Sequence, residues 1–267
     1  MIRVFPRKTK WTPTDELSFV GDPQLWRPPI QPVYISCAFT WDKKESERLK
    51  RSWLRFYQDV RIGGPAYDDK GDEFVSGRFL KEGVTITSRG CSKNCPYCFV
   101  PKREGKIREY PIKDGWVLQD NNILACSELH QRNVFEMLRR QTKQIDFNGG
   151  LDPDLLENWH VKEFETLRVR HFWFSCDTPS SIGPLERTAD LMSDFKQWQK
   201  RCYVLIGFND ESQREAEERL NRIFEMGFLP FAQLYQNDIK TSWSKDWDRL
   251  QRKWCRPAAY KSRRSVI

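Results

Sequence analysis

From Gly83 onward the chain alternates short runs rich in β-branched and aromatic residues with charged, amphipathic stretches, and no other feature limits its fold as strongly. Residues 84–87, 117–119 with the surroundings of Ile123 and Leu124, 145–147, 171–176, 203–206 and 229–234 read as strands. Residues 130–140, 155–167, 185–200 and 211–226 read as helices; the last puts Ala216, Leu220 and Phe224 on one stripe and stops at Gly227. Such a series predicts an α/β fold whose parallel strands make a barrel or part of one, with reacting groups gathered where the strands end. Asp120-Asn121-Asn122, Asn148-Gly149-Gly150, Asp177 and Gly207 stand at those ends.

The first strand runs into Gly90-Cys91-Ser92-Lys93-Asn94-Cys95-Pro96-Tyr97-Cys98. A C-x3-C-x2-C array curled into a loop points three thiolates into one small volume, which is a metal-binding arrangement. Structural zinc closes its shell with a fourth Cys or His at short spacing, and the nearest histidine here is His130. Thiolates also hold iron–sulfur clusters, and a cubane held by three leaves one iron open to a small molecule. A zinc site completed from a distance is the alternative.

C-x3-C-x-aromatic-C at the end of a strand resembles the cluster loop of the radical S-adenosylmethionine (SAM) superfamily. The resemblance covers residues 33–240 and implies a partial (β/α)6 TIM-type barrel of parallel strands over 83–240. It implies that Cys91, Cys95 and Cys98 hold a [4Fe-4S] cluster whose fourth iron chelates SAM, with Tyr97 near the adenine. Asp120, Asn121 and Asn122 would replace the glycine-glycine-glutamate motif that binds the SAM amino group. Asn148, Gly149 and Gly150 would offer backbone N–H groups at close approach. Asp177 would face the ribose or methionine, and Gly207 the adenine. Read without the resemblance, Asp152 is a helix cap and Asp177 a turn residue ahead of Pro179. The segment 99–108 resembles the Val-Pro…Arg-Gly stretch of the methylthiotransferases and cobalamin-type relatives of that superfamily.

The activity implied is reductive cleavage of SAM to a 5′-deoxyadenosyl radical that abstracts hydrogen from an unidentified substrate. A reductant such as a flavodoxin or ferredoxin would supply the electron.

Ahead of the cysteines, residues 32–82 read as a small βαβ appendage: a strand over 33–39, an amphipathic helix with Leu49, Trp53 and Phe56 on one stripe, and a short strand ending at Gly63-Gly64-Pro65. This order looks like a reduced, degenerate Rossmann-like remnant of the N-terminal domain in cobalamin-binding radical SAM proteins. It lacks the Asp-x-His-x-x-Gly signature that supplies a histidine to cobalt, so cobalamin is not implied; a packing module is the plainer reading. Residues 1–31, punctuated by Pro6, Pro13, Pro23, Pro28 and Pro29, read as an extended Pro-rich arm.

The formal charge of +8, from 45 basic and 37 acidic residues, is concentrated late in the chain. Arg249, Arg252, Lys253, Arg256, Lys261, Arg263 and Arg264 meet no acidic residue between 249 and 267, so 241–267 reads as a basic C-terminal tail. Interleaved with Trp254 and Tyr260, these cations offer phosphate grips and stacking rings for nucleic acid; a solubilising terminus is the bland reading. No apolar run has the length of a transmembrane helix, and residues 1–10 carry no apolar signal core. The eight cysteines have scattered spacing apart from the trio, which points to reduced thiols. A cytoplasmic protein without a membrane partner is expected. The competing function is a metal-stabilised nucleic-acid-binding protein, its cysteines holding zinc or an inert iron–sulfur cluster and its basic tail the polymer.

Overall fold

The computed structural model describes residues 1–69, 74–236 and 242–261. They fall into two units, Met1–Thr85 with Lys113–Gly115, and Ile86–Ile112 with the chain from Trp116 onward.

In the first unit β1 (Ile2–Phe5), β2 (Ser18–Val20), β3 (Val33–Ser36), α1 (Lys43–Trp53), β4 (Val60–Gly63) and β5 (Val84–Thr85) follow one another. Four of these strands pair in the order β2-β1-β3-β4, all parallel. Period-two alternation buries Ile2 and Val4 beside Val33 and Ile35, and α1 lays Leu49 and Trp53 on them. Each such side chain contributes about 1.5–3 kcal/mol of burial. Phe56, the third residue of the predicted stripe, lies past the helix end under the Arg27 guanidinium, 3.9 Å from its ring centre.

The segment 1–31 is more than the arm expected of it, because it supplies β1 and β2. Its prolines fall in the connections and not in the strands, so no ladder donor is lost. The Trp53 indole N–H donates to Gly21 O at 3.0 Å and the Tyr57 hydroxyl to Pro28 O at 2.9 Å, which ties these connections to the end of α1.

The second unit contains β6 (Ser88–Arg89), α2 (Val100–Arg103), β7 (Arg108–Glu109), β8 (Val117–Leu118), α3 (Glu128–Arg139), β9 (Ile145–Leu151), α4 (Asn158–Glu165) and β10 (Val169–Ser175). It continues with α5 (Ile182–Leu191), β11 (Lys200–Ile206), α6 (Gln213–Glu225), β12 (Leu229–Leu234), α7 (Lys245–Trp254) and α8 (Pro257–Lys261). Strands β12-β11-β10-β9-β8 lie side by side in that order, all parallel, with helices in the crossovers. The fold is α/β with parallel sheets.

Side-chain alternation gives this sheet two unlike faces. Phe147, Phe172, Phe174, Cys202, Val204 and Ala232 are buried with Phe135, Phe164, Leu185 and Leu220 of the helices. Trp173, Tyr203 and Phe231 point the other way and stay partly exposed, with Trp173 and Tyr203 stacked at 4.3 Å.

Several boundaries differ from the sequence expectation. The predicted strand 84–87 ends at Thr85, because the Thr87 N–H is taken by the Asp120 carboxylate at 2.7 Å. The residues at Ile123 and Leu124 form a 3₁₀ turn, Ile123–Ala125. Asn148-Gly149-Gly150 lies within β9 and does not end it. Helix α5 stops at Leu191, and the strand that follows begins already at Lys200. The described part of the expected tail is largely helical: Leu250 and Trp254 of α7 and Tyr260 of α8 are buried, Trp254 stacks on Tyr260 at 4.9 Å, and the Tyr260 hydroxyl donates to Pro230 O at 3.2 Å. The rings read as stacking surfaces for bases are therefore core, and Arg263 and Arg264 lie outside the described residues.

Candidate metal centre

Cys91, Cys95 and Cys98 sit on the connection between β6 and β7, an antiparallel pair with Ser88 opposite Glu109 and Arg89 opposite Arg108. Main chain closes the neck of this loop. The Cys91 N–H donates to Gly105 O at 3.2 Å, and Lys106 O passes so near Gly90 (φ +94°) that a Cβ there would stand 2.2 Å from it. Only glycine combines that backbone angle with that approach. Within the loop a turn brings the Cys98 N–H to Cys95 O at 3.0 Å.

All three cysteines are free thiols and partly exposed. Backbone N–H groups aim at two sulfurs: Lys93 N at Cys91 Sγ and Val100 N at Cys98 Sγ, both at 3.4 Å. Burial pushes the Cys98 thiol up, opposed by the Val100 N–H and reinforced by Cys95, Cys91 and Asp177. Among the described residues no three His, Cys, Asp or Glu side chains are drawn together as the ligands of a metal ion. One zinc ion requires sulfurs about 3.8 Å apart, given its bond length and tetrahedral angle. In a cubane each thiolate binds its own iron and the sulfurs stand wider. Thiolates are ligands of zinc and of iron–sulfur clusters alike, and N–H groups reach the sulfurs of Cys91 and Cys98.

The strand-end residues converge on this loop to different degrees. Asp120, 1 % exposed, accepts from Thr87 N (2.7 Å), Thr87 Oγ1 (2.6 Å) and Ser88 Oγ (2.8 Å). Burial pushes its carboxyl up against those hydrogen bonds. His130 Nε2 lies 3.2 Å from the same Thr87 hydroxyl. Asn121 Oδ1 accepts from Gly90 N at 3.0 Å. Asp120 and Asn121 thus spend their side-chain oxygens on the base of the cysteine loop. Asn122 donates through Nδ2 to Cys91 Sγ at 3.8 Å and to Asp152 Oδ2 at 3.4 Å, while its buried Oδ1 accepts from none of the described residues.

Asp152 caps the 3₁₀ turn Pro153–Leu155 by accepting from Asp154 N and also meets Lys93 Nζ at 2.7 Å; the following helix α4, which its cap reading assigned to it, has Glu157 at the N-cap instead. Gly149 lies against the Asp120 main chain, and Gly150 takes φ +111°. Asn148 O accepts the Tyr203 hydroxyl at 3.3 Å. Leu118, Asp120, Ile123, Phe147, Gly149, Gly150 and Leu151 line a crevice too narrow for a water molecule.

The Tyr97 ring meets Phe208 edge-on at 5.3 Å. Burial, the Asp177 charge and a hydrogen bond with Cys95 all raise its hydroxyl pKa. Burial likewise raises the Asp177 carboxyl, opposed by the Leu205 N–H (2.9 Å), Arg219 and Tyr97. Gly207 (φ +76°) packs against the Trp243 ring, 2.5 Å from where its Cβ would stand, and its N–H donates to Glu211 Oε2 at 2.9 Å.

Sequence reasoning passed over Lys93, which reaches Asp152 and Asp154 from inside the cysteine motif, and buried Arg219, which donates to Cys176 O and Leu205 O, both at 2.8 Å. A lysine between cysteines was the available signal for the first; nothing local marks the second. No protein-family model matches the chain, and no curated protein matches it.

Proposed function

We propose that this chain is a radical SAM enzyme of unidentified substrate, with Cys91, Cys95 and Cys98 holding a [4Fe-4S] cluster. The observation that carries the reading is the trio of partly exposed thiols on one loop, closed at its neck by main chain and served by backbone N–H groups. When bound, the cluster supplies the electron that splits SAM into methionine and a 5′-deoxyadenosyl radical for hydrogen abstraction.

The chain's own contribution is position and shelter. Asp120 and Asn121 fix the base of the loop. The buried Asn122 Oδ1, unpaired among the described residues, is an acceptor suited to the SAM ammonium. Tyr97 and Phe208 form an aromatic wall for the adenine, with Gly207 beside it. Asp177 faces the ribose or methionine, and Asn148, Gly149 and Gly150 offer main chain. On this reading the parallel strands are part of a partial (β/α)6 barrel, the reductant is a flavodoxin or ferredoxin, and the oxygen-sensitive centre works in a reducing compartment such as the cytoplasm. No helix among the described residues is long and apolar enough to cross a membrane.

The nucleic-acid-binding alternative draws less support, because Trp254 and Tyr260 are buried. Anaerobic reconstitution with iron and sulfide, then dithionite and SAM, tests the proposal. Iron with acid-labile sulfide and formation of 5′-deoxyadenosine are expected, both lost in Cys95→Ala. Stoichiometric zinc in place of iron and sulfide would favour the alternative.

A further inference from the structure

The polar contacts around Cys91 close on themselves. Lys93 N donates to Cys91 Sγ at 3.4 Å, and Lys93 Nζ reaches Asp152 Oδ1 at 2.7 Å. Asp152 Oδ2 accepts from Asn122 Nδ2 at 3.4 Å, and the same amide nitrogen lies 3.8 Å from Cys91 Sγ. The ring links the cysteine loop, the chain after β8 and the chain after β9, three segments far apart in sequence.

We infer that Lys93, Asp152 and Asn122 are positioning residues for the cluster: together they orient the Cys91 thiolate and set how readily the cluster it holds accepts an electron. The inference rests on the cluster reading above and adds its control. Asp152 is only 7 % exposed, and a carboxylate so buried requires a countercharge, which Lys93 provides from within the motif. Asp152 in turn fixes the Asn122 amide: flipping it would turn Oδ1 toward a carboxylate, so the N–H stays directed at sulfur. N–H donors to a cluster thiolate stabilise the more negative, reduced state, and partners of this kind influence both potential and metal retention.

The test uses the full chain as wild type, Asn122→Leu, Lys93→Met and the double variant, each reconstituted anaerobically with ferrous iron and sulfide. Three quantities are read: iron per chain, rate of iron loss to a chelator, and the midpoint of cluster reduction followed by electron paramagnetic resonance. Asn122→Leu is expected to load fully and to reduce at a more negative potential. Lys93→Met is expected to lose iron roughly tenfold faster. The double variant should lose it no faster than the worse single one, because a ring is opened only once. If Asn122→Leu fails to fold, Lys93→Met carries the test, its side chain being 40 % exposed. Loaded variants with wild-type midpoint and iron retention, or strictly additive effects, would overturn the inference while leaving the cluster reading intact. A wild-type chain that takes up neither iron nor sulfide would overturn both.

Discussion

Gly149 lies so close to Asp120 that a Cβ on the glycine would stand 1.7 Å from the aspartate's carbonyl oxygen. This contact sets how near β9 comes to the segment after β8. Gly149→Ala must therefore push main chain apart, and a cost of about 3 kcal/mol is expected. Gly183→Ala is the control: it lies in α5 with no described residue within 4 Å of where its Cβ would stand, so no loss or a gain of up to about 1 kcal/mol is expected. Urea unfolding midpoints of the two variants decide this.

Gly90→Ala strikes the neck of the cysteine loop. Its φ of +94° and the Lys106 carbonyl at 2.2 Å leave no room for a methyl group. We expect reconstituted iron per chain to fall well below wild type while far-UV circular dichroism is preserved; undiminished iron would show that the neck does not govern ligand placement.

His160 makes stability depend on pH. Its Nδ1 accepts from Glu157 N at 2.9 Å and its Nε2 faces Gln131 Oε1 at 2.8 Å, a pairing that fits the neutral ring with its proton on Nε2. Gln131 is held in turn by Leu124 O and Cys126 O. Burial lowers the imidazole pKa from 6.5 to about 4. The unfolded chain binds the extra proton between these values, so this contribution is complete above pH 6.5 and is lost as pH falls toward 4, about 3 kcal/mol in all. Urea denaturation from pH 7.5 to 4.5 should show that decline, and His160→Gln should be less stable at neutral pH with a flatter profile.

The C-terminal helices test where charge ends and core begins. Trp254 is 2 % exposed and Trp254→Ala should cost about 3–5 kcal/mol. Deleting 249–267 should lower the melting temperature at least as far. Reversing the exposed Arg252 and Arg256 to Glu should leave it nearly unchanged. A truncated chain that melts like wild type would contradict the packing of Leu250, Trp254 and Tyr260.

Local signals carried much of the fold. Strand β12 agrees with its sequence reading at both ends, since an apolar run follows Gly227, whose φ of +85° ends the preceding helix turn. Ser212 and Glu215 close a reciprocal capping box at the start of α6. What stayed hidden depends on partners remote in sequence. Thr87 leaves its strand for Asp120, 33 positions away, and Lys93 finds Asp152 across 59. Trp254 and Tyr260 lie among arginines and lysines, a composition that reads as solvated, yet α7 turns Trp254 inward with Leu250, and Tyr260 of α8 is buried against it. At the candidate site the cysteine spacing was legible, whereas the fastening of the loop was not, because main-chain hydrogen bonds at its neck leave little trace in side-chain identity.

The β6–β7 stitch makes the motif an eyelet whose neck is drawn shut by backbone. Ser92, Asn94 and Pro96 alternate with the less exposed members of the motif and face solvent. Changing those three side chains leaves untouched the main-chain hydrogen bond that shuts the neck, Cys91 N–H to Gly105 O.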